Sequence, residues 1–497
     1  MNAARRGWGR WGLLAVLVGY LAAASAFAWF TPPWQAPDEP AHYNYIRHLA
    51  EGLGLPVLLP GDYPHNYLEA LKAQRFPADL PIAPLRYEFH QPPLYYLLAT
   101  PLYWLSGGSL LALRLFSAAL GAALLAAVHR LAQASLPGRP AVALGATAFV
   151  AFLPMHLATS AAVNNDILAE LCLAWAMLGL VRYLQADQAV QPARLTGLGL
   201  LIGLGLCTKT SAYILLPLSL GAVALRQARL TAAGGRPHPG SAWREAVALW
   251  GPALLLGALW WGRNLWVYGG ADFLGLARHD AVVMGQLRTA DWLAQVGWPA
   301  AVAAFAATTF RSFWGQFGWM GVLLDARLYG ALAVLSAAVL GGAAAAAWRV
   351  GRAKRRARPK RWAMALLLGW LALNLLAYAW YNGQFVQHQG RYLFWALPVW
   401  GLAFAVGWAE MTARPPVARW GAAILGLAGL GLALVSASAS ALDKWGVALC
   451  WGGAAGLAVL SLLPAGLRRL AFWGLFAALW GVSLVCLLGF VVPALAG

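Results

Sequence analysis

The chain has 497 residues, 61% of them hydrophobic and only 11% charged, with a formal net charge of +19. Soluble domains carry about 25% charged and about 45–50% apolar residues, so a single soluble globular protein is excluded. Apolar runs of about 20 residues recur along nearly the whole length, continuous rather than alternating, which indicates a polytopic α-helical membrane protein and excludes a β-barrel.

Arg5, Arg6 and Arg10 precede the first apolar run, 11–30, which is long enough to span and reads as an uncut anchor rather than a cleaved signal peptide. Further spans are predicted at 109–129, 140–158, 164–184, 195–208, 211–226, 245–262, 328–348, 362–381, 392–411, 418–437, 444–463 and 470–492, making about 13 in all. The stretch from Pro92 to Leu105 has about a dozen residues and contains Pro101, so it is too short to cross and reads as a juxtamembrane or re-entrant helix. With the N-terminus in the cytoplasm, the cytoplasmic segments hold 23 basic residues and three acids (Asp187, Glu245, Glu410), against 13 basic and 14 acidic outside. That asymmetry is the positive-inside rule, so the excess charge reports topology, and the cluster GRAKRRARPKR at 351–361 reads as a cytoplasmic contact with anionic lipid, not nucleic acid. The expected organisation is one integral membrane domain over 1–497 with long external loops at 31–108 and 263–327 and no soluble domain after the last span. Cys172, Cys207, Cys450 and Cys486 lie in apolar runs without CxxC spacing, so disulfides and a Cys-based metal site are set aside.

Chemistry therefore has to sit in the loops between spans. The first loop opens with TPPWQAPDEPAHYNYIRHLAEG, where Asp38 reads as a helix N-cap, Glu39 and Pro40 as the first turn, and an amphipathic helix follows to about Glu51. His42 falls one turn after Asp38 on the same face, while Tyr45, Ile46 and Leu49 form an apolar face suited to the membrane surface. The loop closes with YEFHQPPLYYLL, which puts Glu88 and His90 beside a Pro-Pro entry into the membrane. Asn164, Asn165 and Asp166 head the fourth span, and Glu170 lies one turn inside it, where an ionisable group needs a partner or water. The external cations Lys209, Arg263 and Arg391, the last with His388 and Gln389 beside it, sit at span ends. Their convergence suggests an anion site at the depth of a lipid phosphate.

Asp38-Glu39-Pro40 opening a loop helix, His90-Gln91-Pro92-Pro93-Leu94, and Asn165-Asp166 heading the fourth span resemble the GT-C glycosyltransferase superfamily, in particular its protein O-mannosyltransferase and aminoarabinose lipid A transferase branch. Arg263-Asn264 and Gln389-Gly390-Arg391-Tyr392 resemble segments of bacterial members. The resemblance implies an all-α, GT-C-like membrane enzyme that takes a sugar from a polyprenyl-phosphate carrier with inversion. It implies Asp38 as base, with Glu39 and Asp166 as further catalytic acids, and Lys209 near the carrier phosphate. His42, Glu88, His90, Asn165, Arg263, His388 and Arg391 then form the substrate-binding set. Gln91 between the histidine and the prolines departs from the protein mannosyltransferase pattern and leaves the acceptor open among glycan, lipid and protein. A divalent ion (Mg, Mn or Zn) on Asp38 and Asp166 is the candidate cofactor, although no ligand spacing specifies one.

Two other readings compete. A transporter or flippase of a lipid-linked glycan would need ionisable residues deep in several spans, whereas here they keep to span ends. A polysaccharide polymerase or ligase would share the lipid-phosphate site without needing the Asp-Glu helix. With 31 arginines, 5 lysines and no Asn-x-Ser/Thr acceptor, the expected setting is a bacterial inner membrane with the site on its periplasmic side.

Overall fold

The computed structural model describes every residue except 1, 233, 235–238, 353–357, 439–442 and 496–497. The middle of the basic 351–361 cluster therefore lies outside the described residues, as do the side chains of Arg5, Arg6 and Arg10. In chain order the helices are α1 (Asn2–Phe30), α2 (Glu39–Ala50), α3 (His65–Ala73), α4 (Leu94–Leu105), α5 (Leu110–Ser135), α6 (Pro140–Phe152), α7 (Pro154–Ser160), α8 (Asp166–Gln185), α9 (Pro192–Leu206), α10 (Leu215–Ala232) and α11 (Pro239–Tyr268). They continue with α12 (Leu276–Val282), α13 (Thr289–Val296), α14 (Trp298–Trp314), α15 (Ala326–Arg352), α16 (Arg358–Gln384), α17 (Leu397–Ala413), α18 (Pro415–Ser438), α19 (Lys444–Leu462), α20 (Ala465–Cys486) and α21 (Val492–Leu495).

Each of the thirteen predicted spans coincides with a helix. Among the described residues ten helices are long and apolar enough to cross a membrane by themselves, or twelve if each bent pair counts as one span. The chain is thus an all-α polytopic membrane protein. The predicted third span is the pair α6–α7, bent by 65° at Leu153, because Pro154 cannot donate into the ladder of α6. The 263–327 segment is more structured than an open loop: α13 and α14 form an apolar pair bent by 119° at Gly297, whose φ of 75° only glycine adopts freely.

The most enclosed of the ten long apolar helices is α8, which packs against α5, α9 and α10. Glycines bring neighbouring backbones together: a Cβ on Gly342 of α15 would strike Gly407 O, and one on Gly407 of α17 would strike Val339 O. Charge marks the two ends of the bundle. At the end holding the C-terminus of α8, Glu245 accepts from Tyr183 (2.8 Å) and Arg226 (2.6 Å), and Asp187 from Arg229 (2.6 Å). Glu410 there pairs with both Arg349 and Arg414, at 2.9 Å each. The three acids assigned to the basic face are thus each neutralised by arginine. The other end of α8 begins at Asp166 and carries the candidate site.

The two long loops interlock above that end. A short hairpin of β1 (Gln316–Phe317) and β2 (Val322–Leu323) carries Trp319, whose indole donates to Trp34 O at 3.0 Å and stacks on Phe76. Arg278 donates to Leu58 O at 2.9 Å, and Tyr268 OH receives Leu58 N at 3.2 Å. Helix α4, twelve residues and so about 18 Å long, packs on α2 and α5 and is too short to cross a bilayer by itself. It also changes the role of α2. Tyr45 and Ile46, expected on a lipid surface, are fully buried, because α4 supplies Tyr96, stacked on Tyr45 with ring centroids 3.7 Å apart.

Candidate active site

The chain reaches Asp38 through Thr31-Pro32-Pro33-Trp34-Gln35-Ala36-Pro37, a stretch whose prolines prevent α1 from continuing. Asp38 stands at the N-cap position of α2 in the left-handed region (φ 66°), a conformation that Asp tolerates better than most residues. Its side chain does not cap, which corrects the expectation from sequence. The carboxylate points away from the helix amides instead: Oδ1 accepts from Tyr87 OH at 3.1 Å and Oδ2 from Arg391 Nη2 at 3.0 Å. Burial works to raise the Asp38 carboxyl, but Arg391, His42 and these two hydrogen bonds outweigh it and hold it below its ordinary value. Burial, with the Asp38 charge beside it, pushes the Tyr87 hydroxyl well above its usual range, so it stays a donor.

Glu39, expected among the catalytic acids, is turned the other way and is fully buried. It accepts from Arg114 Nε (2.8 Å) and Nη2 (2.6 Å) and from the backbone amides of Trp34 and Val163 (3.2 Å each). Arg114 spends its remaining donors on the carbonyls of Ala28, Thr31 and Pro32. Glu39 therefore ties the end of α1, the Asp38 loop and the α7–α8 turn into one knot, and no oxygen is left for a substrate.

Asp166 opens α8, with its amide donating to Asn164 Oδ1 at 3.0 Å, and its carboxylate accepts from Lys209 Nζ at 2.9 Å. Lys209 also donates to Asn165 Oδ1 at 3.0 Å, and Asn165 Nδ2 donates to Thr208 O at 3.1 Å and Gln91 Oε1 at 3.4 Å. Lys209 reaches this point because α9 is short and Leu94 N donates to Cys207 O at 3.0 Å, which docks the α9–α10 break on the Pro-Pro segment. Asp38 and Asp166 both act electrostatically on Arg391, and His42 feels Glu88, Lys209, Asp38 and Asp166 together. His42 Nδ1 shares a hydrogen bond with Tyr96 OH at 2.8 Å, and burial lowers its imidazole. His90, lowered more strongly by burial and by nearby His279 (ring centroids 4.4 Å apart), directs Nδ1 at Tyr87 O (3.0 Å). Glu88 Oε2 is buried with no hydrogen-bond partner. Asp38 and Asp166 are 30% and 25% exposed at the side chain, against 13% for Arg391 and 15% for Lys209, so the acids are reachable and the cations sit deeper.

The structure thus gathers Asp38, His42, Glu88, His90, Asn165, Asp166, Lys209 and Arg391. Besides Glu39, two expected members lie apart. Arg263 donates to Pro56 O and Asn264 Oδ1 and lies over Trp260 and Tyr268, anchoring the two loops to each other. His388 packs between Trp292 and Phe305. Tyr87, Tyr96, His279 and Arg114 escaped the sequence reading, although an arginine within the apolar run LLALRLF was a signal that a buried acid waits for it. Glu170 has its partner in His156 Nε2 at 3.0 Å.

A resident metal on Asp38 and Asp166 does not fit these residues. Each carboxylate already faces a cation of the chain, and among the described residues no group of three His, Cys, Asp or Glu side chains converges as metal ligands. No step below passes through a metal.

In part of its sequence, around the start of α8 and the α9–α10 break, the chain is similar to a known family of membrane glycosyltransferases. Residues 90–238, which include His90, Asn165, Asp166 and Lys209, match the family model of dolichyl-phosphate-mannose-protein mannosyltransferase. Among solved structures, ArnT from Cupriavidus metallidurans bound to undecaprenyl phosphate is 14% identical, with a TM-score of 0.46 over 98% of this chain and 77% of that one. The oligosaccharyltransferase of Archaeoglobus fulgidus, tethered to an acceptor peptide, is 16% identical, with a TM-score of 0.44 over 90% of this chain and 54% of that one. The chain spans about half the length of that archaeal enzyme. A form of the same enzyme with zinc and sulfate is 15% identical, with a TM-score of 0.43. No curated protein sequence matches the chain.

Proposed function

We propose that the chain is an inverting glycosyltransferase that moves a sugar from a polyprenyl-phosphate donor to an acceptor at the external, periplasmic face of a bacterial inner membrane. The observation that carries the reading is a half-open carboxylate, Asp38, paired at 3.0 Å with Arg391, beside a second acid–cation pair, Asp166–Lys209, at 2.9 Å. The similar proteins named for dolichyl-phosphate mannose and undecaprenyl phosphate support the lipid-phosphate donor.

In this reading the donor phosphate takes Arg391 and Lys209 as its counter-charges. The C1–O bond to phosphate breaks with its electron pair staying on the phosphate oxygen, where the two cations stabilise it. The acceptor oxygen bonds to C1 from the opposite face and its proton passes to Asp38, a general-base contribution of about 10²–10⁴-fold. A carboxylate held low is a weak base, yet the incoming phosphate draws Arg391 away from it and restores basicity when the substrate is present. Glu88 Oε2, buried and unpartnered, accepts a hydroxyl of the transferred sugar. Asp166 and Asn165 hold Lys209 in place, and Glu39 acts through the position of Asp38.

The test is release of free polyprenyl phosphate from a panel of labelled polyprenyl-phosphate sugars by the purified chain, comparing wild type with Asp38→Asn and with EDTA present or absent. Release that requires Asp38 and survives EDTA is expected. Equal turnover by Asp38→Asn removes the base assignment, and a donor panel neither bound nor consumed favours transport of a lipid-linked glycan.

A further inference from the structure

The segment that carries Arg391 rests on α14. Of the 17 residues in α14 only Ala301, Ser312 and Trp314 are buried. Ser312 is sealed completely, and its hydroxyl faces the segment before Arg391: Oγ accepts from Gly390 N at 2.7 Å and donates to Thr308 O at 2.6 Å. Next to it a Cβ on Gly390 would run into Thr309 O and Phe313 N, so the two backbones meet at a distance that only glycine permits. The neighbouring Thr309 hydroxyl shares a hydrogen bond with Tyr378 OH of α16 at 2.7 Å, which fixes the register of α14 against the bundle. One residue beyond Gly390, Arg391 uses Nε on Gln389 Oε1 at 2.6 Å and Nη2 on Asp38.

We infer that Ser312, acting through Gly390, is the positioning residue for Arg391. An N–H buried against a backbone has no water to turn to, so losing its acceptor costs the full desolvation of that amide and frees the segment to move. The guanidinium follows the segment, because its stem starts at the next residue. The same hydroxyl adds a directional anchor to the contact of α14 with the 390–396 turn, where Phe313 also packs on Phe394 with ring centroids 5.6 Å apart.

The inference rests on the reading of Arg391 as a phosphate ligand, so its test has one arm that does not. Full-length protein in nanodiscs is compared as wild type, Ser312→Ala, Arg391→Gln and the double variant. Amide exchange of residues 388–393 is read by mass spectrometry and affinity is read with undecaprenyl phosphate as probe. Ser312→Ala is expected to speed exchange in 388–393 while α16 and α17 keep wild-type protection. Loss of one charge-assisted contact predicts about a 10-fold weaker probe affinity for Arg391→Gln, and displacement of the same group about a 5-fold weaker one for Ser312→Ala. The double variant is expected to bind like Arg391→Gln alone, a non-additivity that a general packing defect does not produce. Gly390→Ala, which forces the backbones apart, is expected to reproduce Ser312→Ala. Wild-type exchange in Ser312→Ala, or a Ser312→Ala loss that adds in full to that of Arg391→Gln, overturns the inference. If Arg391→Gln binds the probe like wild type, the phosphate role of Arg391 falls, and the exchange arm alone decides the clamp.

Discussion

Two adjacent acids, Asp38 and Glu39, each pair with an arginine from far along the chain, and they meet opposite fates. Glu39 and Arg114 are 0% and 4% exposed at the side chain, and four donors fill the carboxylate. Asp38 and Arg391 are 30% and 13% exposed, and each Asp38 oxygen has one donor. A saturated buried pair can do nothing but hold geometry, since any new ligand must displace a bond that water does not replace. A pair with spare lone pairs at a reachable surface can exchange partners. The left-handed turn at Asp38 is what sends consecutive side chains into these two environments, and the knot at Glu39 keeps a residue in a conformation that costs energy.

The contrast predicts a clean division between activity and stability. Asp38→Asn keeps shape but loses the base and one of its two acceptor oxygens, so release of polyprenyl phosphate should fall by about 10²–10⁴-fold while the melting temperature moves little. Glu39→Ala should do the reverse in kind: it strands Arg114 inside the protein and should cost about 3–5 kcal/mol of stability, read as a large drop in Tm or as failure to purify folded protein. Activity lost in Glu39→Gln at unchanged Tm would break the division and return Glu39 to the chemistry.

Titration sharpens it next. With its folded carboxyl below the ordinary 3.8, Asp38 contributes stability that is present above that value and lost as pH falls through the lower folded one. The wild-type kcat/KM, which reports the free enzyme, should accordingly show no acid limb from Asp38 between neutrality and about pH 5. Removing the cation leaves only His42 and Tyr87 against burial, so in Arg391→Gln the acid limb should move up by about 1–3 pH units. A pH–rate profile that Arg391→Gln leaves unmoved would mean that some other group is the base.

How much of this was legible from sequence follows the same line between local and distant. The helix at α2, the placement of Asp38 and Asp166 at helix starts and the shortness of α4 are written in short-range signals: prolines, acids before apolar runs, and length. The Asp38–Arg391 contact joins residues 353 apart, and no spacing encodes it. Arg263 and Arg391 look alike in sequence, each a lone cation at a span end. Only packing decides that one anchors loops through Pro56 and the other meets Asp38. The apolar face of Tyr45 and Ile46 misled for a related reason, because an amphipathic pattern says that a face is covered but not whether lipid or α4 covers it.

The smallest effect concerns Glu88, which stands between the two kinds of acid. One of its oxygens is buried like those of Glu39, yet it lacks the donors that make Glu39 inert. A buried acceptor left open in the free protein gains a bond only when a ligand brings the donor, so its value should appear in binding rather than in folding. Glu88→Gln keeps an acceptor oxygen but gives up its charge. The sugar hydroxyl then trades a charge-assisted bond for a neutral one, a difference of about 1 kcal/mol, or about 5-fold. That factor should fall on KM for the preferred donor, with kcat and Tm close to wild type, and should shrink for a donor lacking the hydroxyl concerned. A variant that instead gains stability and binds every donor as before would show Glu88 to be an uncompensated charge relieved by neutralisation, and the sugar contact would have to be sought elsewhere in the site.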